Sequence, residues 1–389
     1  MATIEYRMFF GNEPADRKRL DLFEEISVSQ QVDVMWEARL KMPVVMDEKG
    51  KWKNEDEPFL QPYARVRVEV KVGDAAFVPL IDGPITEVVA PRNPHPGKSD
   101  VTLVVHDDSV FLDQEEKLER FEDMTDSEIA ERVFSEIPQL GGPPQVEPTP
   151  PQPDNPTRVV VQRGTKIQVL RALARRHHFH AYVLPGAVAG ESVGAFRTFP
   201  TATDGLPALT LAGEGRNLER FDPRTDARRP ADVRAATLSL RDKRITTSRS
   251  GQSDATLQGD RPAVDAGADR PSRLLPPGHS DTVDLDRLTR GEAERLSLAT
   301  EVTGSVRNFC YKGVLTPYRL VPVKLSDSKL SGKYLVTKVT HTLNRSLYKQ
   351  SFTLRGNAFT EAAGTAGAPA SPTASAALAA AFNTQGSVF

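Results

Sequence analysis

Residues 64–73 read ARVRVEVKVG, and this alternation decides what kind of fold to expect. Val66, Val68, Val70 and Val72 take every second position, with Arg65, Arg67, Glu69 and Lys71 between them. Successive side chains of a strand point to opposite faces, so the spacing predicts a strand with one buried and one wet face. The stretches 84–91 (PITEVVAP) and 101–107 (VTLVVHD) read as further strands, divided by the turn-rich RNPHPGKSD of 92–100. Their connections are short and carry no helix, which predicts antiparallel pairing. The same grammar returns at 206–215 (LPALTLAGEG), 231–242 (ADVRAATLSLRD) and 318–325 (YRLVPVKL). It is strongest in KYLVTKVTHTL (333–343) and SLYKQSFTLRG (346–356), two runs read as a hairpin turning near Asn344-Arg345.

Between the β-rich ends the period changes. In TDSEIAERVFSEIP (125–138), Thr125 is an N-cap with Glu128 three residues on. Ile129, Val133, Phe134 and Ile137 then share one helical face, and Pro138 limits the helix. In GTKIQVLRALARRHH (164–178), Thr165 caps, Gln168 completes the box, and Ile167, Leu170, Leu173, Ala174 and His177 form the buried stripe. The eight prolines of 138–156 predict an extended, exposed loop. Residues 246–284 are poor in apolar periodicity and read as a mobile insertion. GEAERLSLATE (291–301) reads as a short helix.

His177, His178 and His180 concentrate three of the seven histidines in four positions. Arg175, Arg176 and His177 fall in the last helical turn, where cations meet the free carbonyls. FHAYVL then alternates as a strand, so the cluster straddles a helix-to-strand turn. It lacks the i, i+4 spacing of a helical zinc pair, and no acid is near in sequence. The expectation is no metal and no cofactor.

Composition excludes several classes. Lys plus Arg (50) nearly cancels Asp plus Glu (52), which argues against a sequence-specific nucleic-acid partner. Cys310 is the single cysteine, excluding an internal disulfide and a cysteine zinc site. It suits assembly in a reducing cytoplasm and reads as a small core filler. No signal peptide and no transmembrane run is read, so no membrane partner is expected. Residues 106–137 carry twelve acids against three bases, and 220–249 carry nine bases against four aspartates. The first reads as a charged surface. The second reads as a strand edge, a lumen wall or a subunit contact, since no interleaved aromatics support base stacking. No nucleophile elbow, P-loop or dinucleotide fingerprint occurs, and no catalytic residue is assigned.

One longer order of elements is more specific. The strand PLIDGPITEVVAP, the strand VTLVVHDDSVFLDQ, the charged helix, the Pro-rich loop and VVVQRGTKIQVLRALARRHHFHAYVL follow one another. This resembles the late control gene D family, the baseplate hub proteins of contractile phage tails and contractile injection systems. The residues that carry the likeness are Asp107, Leu112, Phe121, Met124, Thr125, Asp126, Ile129, Gln162, Thr165, Leu170, Leu173, Ala174, Arg175 and Arg176. His177-His178 replace the glycine that the family places after the two arginines.

The resemblance implies a mainly β fold with an α/β insert, in which two tube-like antiparallel β-barrel domains form a hub. The domains expected are 1–115 (first tube-like domain), 116–205 (α/β insert) and 206–358 (second tube-like domain, carrying the 246–284 insertion). Residues 359–389, low in complexity and without a charge after Glu361, follow as a disordered tail. Three copies are expected to form a homotrimer joining a sixfold inner tube protein to a separate spike protein among other baseplate proteins. Lys338, His341 and Lys349 are the candidate channel-lining or interface residues, and Leu378, Phe382 and Phe389 the candidate tail anchor. The competing reading is a baseplate-associated cell-wall hydrolase, which a paired-carboxylate cleft within 106–210 would favour. A glycan-binding module in the middle segment is a third.

Overall fold

The computed structural model describes residues 3–360, apart from 54–56, 96, 151–158, 204, 230–231, 239–242, 252–254, 265–270, 276–284, 308, 327 and 346. The first β-rich region contributes β1 (Ile4–Phe10), β2 (Glu25–Gln31), β3 (Glu37–Pro43), β4 (Arg65–Val72), β5 (Val78–Val89) and β6 (Asp100–His106). The middle is built from β7 (Glu116–Glu122), α1 (Asp126–Ser135), β8 (Val159–Thr165), α2 (Lys166–Arg176), β9 (His180–Pro185) and β10 (Ser192–Arg197). Then come β11 (Leu218–Thr225), β12 (Asp232–Leu238), β13 (Ile245–Gly251) and α3 (Leu285–Ser297). The last long strands are β14 (Thr300–Val306), β15 (Leu320–Lys324), β16 (Gly332–Asn344) and β17 (Tyr348–Gly356).

The fold is mainly β with an α/β middle. A single sheet runs through both β-rich ends in the order β11-β14-β17-β16-β2-β3-β6-β5-β4-β1. The two ends meet where β16 pairs antiparallel with β2, from Lys338 opposite Gln31 to Asn344 opposite Glu25. Register shifts at Val68/Glu69, Ile85/Glu87 and Val336/Lys338 bend the long strands. An extra residue raises local twist, and the sheet curls into a half-barrel.

Each region has its own core. Met8, Val28, Leu40, Val68, Ile81 and Leu103 centre the first. Phe121, Ile129, Phe134, Leu170, Leu173 and Phe196 centre the middle. Val302, Leu315, Val321, Tyr334, Val339 and Phe352 centre the last. The two helices start as expected: Glu128 N–H donates to Thr125 Oγ1 (3.2 Å) while Thr125 N–H donates to Glu128 Oε2 (2.7 Å). Thr165 N–H donates to Gln168 Oε1 (3.3 Å). Ile167, Leu170, Leu173 and Ala174 are buried.

In three stretches the described residues hold structure that the sequence reading did not predict. Within 246–284, the described residues include ordered strands: β13 pairs with β12 from Gly251 opposite Asp232 to Ile245 opposite Leu238. Its inward side chains are serines, and Ser248 Oγ donates to Asp286 Oδ1 on α3 (2.6 Å), so the packing leaves no apolar signature. In the Pro-rich loop, Gln145 and Val146 pair with β10, and Thr149 is buried against Ser127. The third concerns the charged face of β4, described below.

Candidate functional site

The polar face of the shared sheet is the first candidate surface. Downstream of the Val336/Lys338 shift, Val339 and Leu343 of β16 point inward, while Lys338, Thr340 and Thr342 point outward. On β17, Tyr348, Gln350, Phe352 and Leu354 point inward, and Lys349, Ser351, Thr353 and Arg355 outward. Thr342 lies opposite Lys349, and Thr340 opposite Ser351. Beyond the junction, Ser27, Ser29 and Gln31 of β2 and Arg39 and Lys41 of β3 continue the outward face. Its charges are mostly matched: Arg355 with Glu301 (2.8 Å), Arg39 with Glu37 (2.7 Å), Lys41 with Asp100 (3.3 Å) and Lys349 with Glu219 (3.8 Å). Lys338 has no ion pair among the described residues.

Lys338 and Lys349 therefore share an outward face, and His341 does not join them. It is fully buried, because it stands two residues from both Val339 and Leu343 and so shares their inward face. Its Nε2–H faces Gln30 Oε1 (3.3 Å), and its Nδ1 accepts from Tyr348 Oη (2.9 Å). Gln30 spends its amide on the Leu80 carbonyl (2.7 Å), which leaves its Oε1 as the acceptor and sets this tautomer. Burial holds the His341 pKa down at about 3, so the ring is neutral. Leu378, Phe382 and Phe389 lie outside the described residues.

The histidine cluster sits at a helix end as read, and the structure gives each ring a different carboxylate. His177 caps α2, and His178 follows in the left-handed region (φ 60°). Phe179 N–H donates back to the Ala174 carbonyl (2.8 Å), which closes a Schellman turn. His178 thus occupies the position that glycine favours. His177 Nε2 meets Asp126 Oδ2 (2.6 Å), His178 Nε2 lies 3.3 Å from Glu294 on α3, and His180 Nδ1 meets Asp33 Oδ1 (2.9 Å). Burial, with His180 adding to it, lowers the His178 pKa to about 4. The side chains diverge to three elements instead of converging. Among the described residues no group of three such side chains could hold a metal ion.

Sequence reasoning missed the second surface, a buried ionic network. Arg67 and Glu69 are 2 % and 3 % exposed, so the face of β4 read as wet is covered. Arg65 Nε donates to Asp82 Oδ1 (2.8 Å) and its terminal nitrogens to Asp108 (3.0 and 2.5 Å). Arg67 donates to Glu69 (2.6 Å), Asp82 (2.9 Å) and the Val188 carbonyl (3.2 Å). Arg7 closes the network on Glu69. From the middle region, Gly190 N–H donates to Asp82 (3.0 Å) and Ser192 Oγ to Asp108 (2.6 Å). The network therefore clamps the β9–β10 loop onto the first β-rich region. The signal was present in the opposite signs of Arg67 and Glu69 on one face of one strand. Cys310, read as a core filler, is half-buried.

Asp107 and Asp108, the only adjacent acids buried within 106–210 among the described residues, line no cleft. Asp107 accepts from the N–H groups of Trp36 (2.6 Å) and Ser109 (2.9 Å), and burial raises its pKa to about 6.

No family model and no curated protein matches the chain. Its fold does match solved structures. A tail protein from Neisseria meningitidis aligns with a TM-score of 0.60 at 16% identity, over 91% of this chain and 96% of its own. A 43 kDa tail protein of prophage MuSo2 from Shewanella oneidensis aligns with a TM-score of 0.58 at 14% identity, over 90% of this chain and 98% of its own. A component of the Escherichia coli type VI secretion system, described as structurally similar to T4 bacteriophage tail proteins gp27 and gp5, aligns with a TM-score of 0.50 at 12% identity. That alignment covers 92% of this chain and 77% of the other.

Proposed function

We propose that the chain is a baseplate hub protein of the late control gene D kind, a structural component of a contractile tail or injection system. Three copies form a ring that adapts a sixfold inner tube to a threefold, separately encoded spike. In this reading 1–115 and 206–358 are two tube-like domains and 116–205 is the α/β insert. Two such domains in each of three chains supply the six wall elements that a sixfold tube requires.

The observation that carries the reading is the single antiparallel sheet through both β-rich ends, with one face polar from β17 through β16 and β2 to β3. A channel wall needs a continuous hydrophilic surface on one side and a packed core on the other. Lys338 and Lys349 line the channel in this proposal; His341 belongs to the core. The edge strand β11 pairs, among the described residues, with β14 alone and carries Arg220 and Arg224 outward. An open edge is a ready partner for a neighbouring chain or another baseplate protein. The shared fold with phage tail proteins supports the same assignment.

Native mass spectrometry of the purified chain, alone and with its spike protein, tests this. A trimer, at least in the presence of the spike, is expected; a monomer or a hexamer under both conditions contradicts it. For the hydrolase reading, Asp108 is tied to Arg65 and Ser192, and Asp107 to two backbone amides, so this carboxylate pair faces no substrate space. A peptidoglycan zymogram is expected to show no clearing.

A further inference from the structure

The middle region meets both β-rich ends at a cavity of about 480 Å³ between α2, β9 and α3. This size suits a small molecule. Its charge is unbalanced: Arg171 and Arg175 from α2, Arg273 and Arg295 line it, against the carboxylates Asp33 and Glu292. Glu292 is already held, bidentate to Arg295 (2.8 and 2.6 Å) and 3.4 Å from Arg273, and Asp33 is held by His180. Arg171 and Arg175 have no ion pair among the described residues.

A second observation points to a ligand. Two residues that line the cavity each carry a buried nitrogen, Nε of Arg171 and Nε2 of His180, with no hydrogen-bond partner among the described residues. His180 is 9 % exposed, with its ring fixed against Phe199 at 3.8 Å between centroids and its Nδ1 held by Asp33. A buried polar group without a partner is costly, so two such groups on residues that line one space argue for an occupant. The Arg171 Nε–H can only donate and so requires an acceptor. With Nδ1 of His180 held by Asp33, its Nε2 is the ring nitrogen left for a ligand. A monohydrogen phosphate group meets both, since it carries acceptor oxygens for the guanidinium and both an acceptor and a hydroxyl donor for the imidazole. Sulfate and carboxylates, fully ionised, offer acceptors alone.

We propose that this cavity binds a phosphate-bearing small molecule, with Arg171, Arg175 and His180 as its recognition residues. A second cavity of about 400 Å³ shares Asp33, His180 and Arg295 with it, which leaves room for a group attached to the phosphate. Because Asp33 belongs to the first β-rich region, α2 to the middle and α3 to the last, the ligand ties all three together. The site is independent of the hub reading and stands or falls without it.

Isothermal titration of the full chain with inorganic phosphate and pyrophosphate, and with sulfate as comparator, tests the proposal. Binding of both phosphates is expected, weaker binding of sulfate, and a loss of roughly tenfold or more in Arg171→Gln and in His180→Phe. Arg175→Gln lies on the exposed rim, is expected to fold normally, and weakens phosphate binding by a smaller factor. No phosphate binding, sulfate binding as tight as phosphate, or unchanged affinity in all three variants overturns it.

Discussion

The β4 strand and the β16–β17 hairpin are written in one grammar and end in opposite environments. Both alternate apolar with charged or polar residues, so each has a core face and a second face. On β4 the second face is buried: Arg67 and Glu69 lie under the β9–β10 loop, each charge answered by another. On the hairpin it is more open: Lys338 is exposed beside a cavity that it shares with His180, Phe199 and Arg295, and Thr340, Thr342, Lys349 and Ser351 are half-buried. Period two tells which residues share a face. It does not tell whether another part of the chain comes to lie on that face.

The contrast breaks most visibly under truncation of one charge from each face. Arg67→Ala takes one cationic partner from each of the buried Glu69 and Asp82 and is expected to destabilise by about 3–5 kcal/mol, whereas Lys338→Ala stays within about 0.5 kcal/mol. Thermal and urea unfolding of the two variants side by side check this; equal effects would erase the distinction between the faces.

Acid should loosen the buried junction before it affects the open face. The His178 pKa, about 4 in the fold against an ordinary 6.5, means that the unfolded chain takes up a proton in this window while the folded chain does not. Stability is therefore full above pH 6.5 and falls as pH drops toward 4, by up to about 3 kcal/mol from this residue. His178→Asn keeps a residue tolerant of the left-handed backbone and removes the titration. Its unfolding midpoint should vary less across pH 4–6.5 than that of the parent chain, and an unchanged slope would remove His178 from the explanation.

The same junction is sensitive to a methyl group. A Cβ on Gly291 of α3 would sit 2.5 Å from Cβ of His178, closer than carbon atoms pack. Gly291→Ala is expected to cost about 1–3 kcal/mol despite its better helix propensity, as overpacking does. A stabilised variant in thermal unfolding would mean that α2 and α3 do not pack this closely. Smallest is the cap: Thr125→Ala removes the Oγ1 acceptor of the α1 capping box and should lower stability by about 1 kcal/mol, measured in the same way.

Much of the fold was legible, because strand alternation, capping boxes and the Asn344–Leu347 turn are local signals. The turn closes as read, with Leu347 N–H donating to Asn344 Oδ1 (2.8 Å). What was illegible depends on long-range contact. His341 is the exception: it shares parity with Val339 and Leu343, so period two by itself sets it on the core face, opposite to Lys338. Serines at 248 and 250 packed β13 through hydrogen bonds, so a strand lay inside a stretch without apolar rhythm. The cation-lined cavity joins Asp33, Arg171, Arg273 and Arg295, which lie too far apart in sequence for any motif to link them.

The central claim is that the open face of the shared sheet is the wall of a threefold channel. A cryo-electron microscopy map of the assembled particle tests it most directly. Three copies of the chain around the axis, with Lys338 and Lys349 facing the lumen and the Arg67–Asp82 network buried within each chain, are predicted. Six full chains in the ring, or a lumen bordered by the β7–β8 pair with the β16–β17 face turned outward, would contradict it.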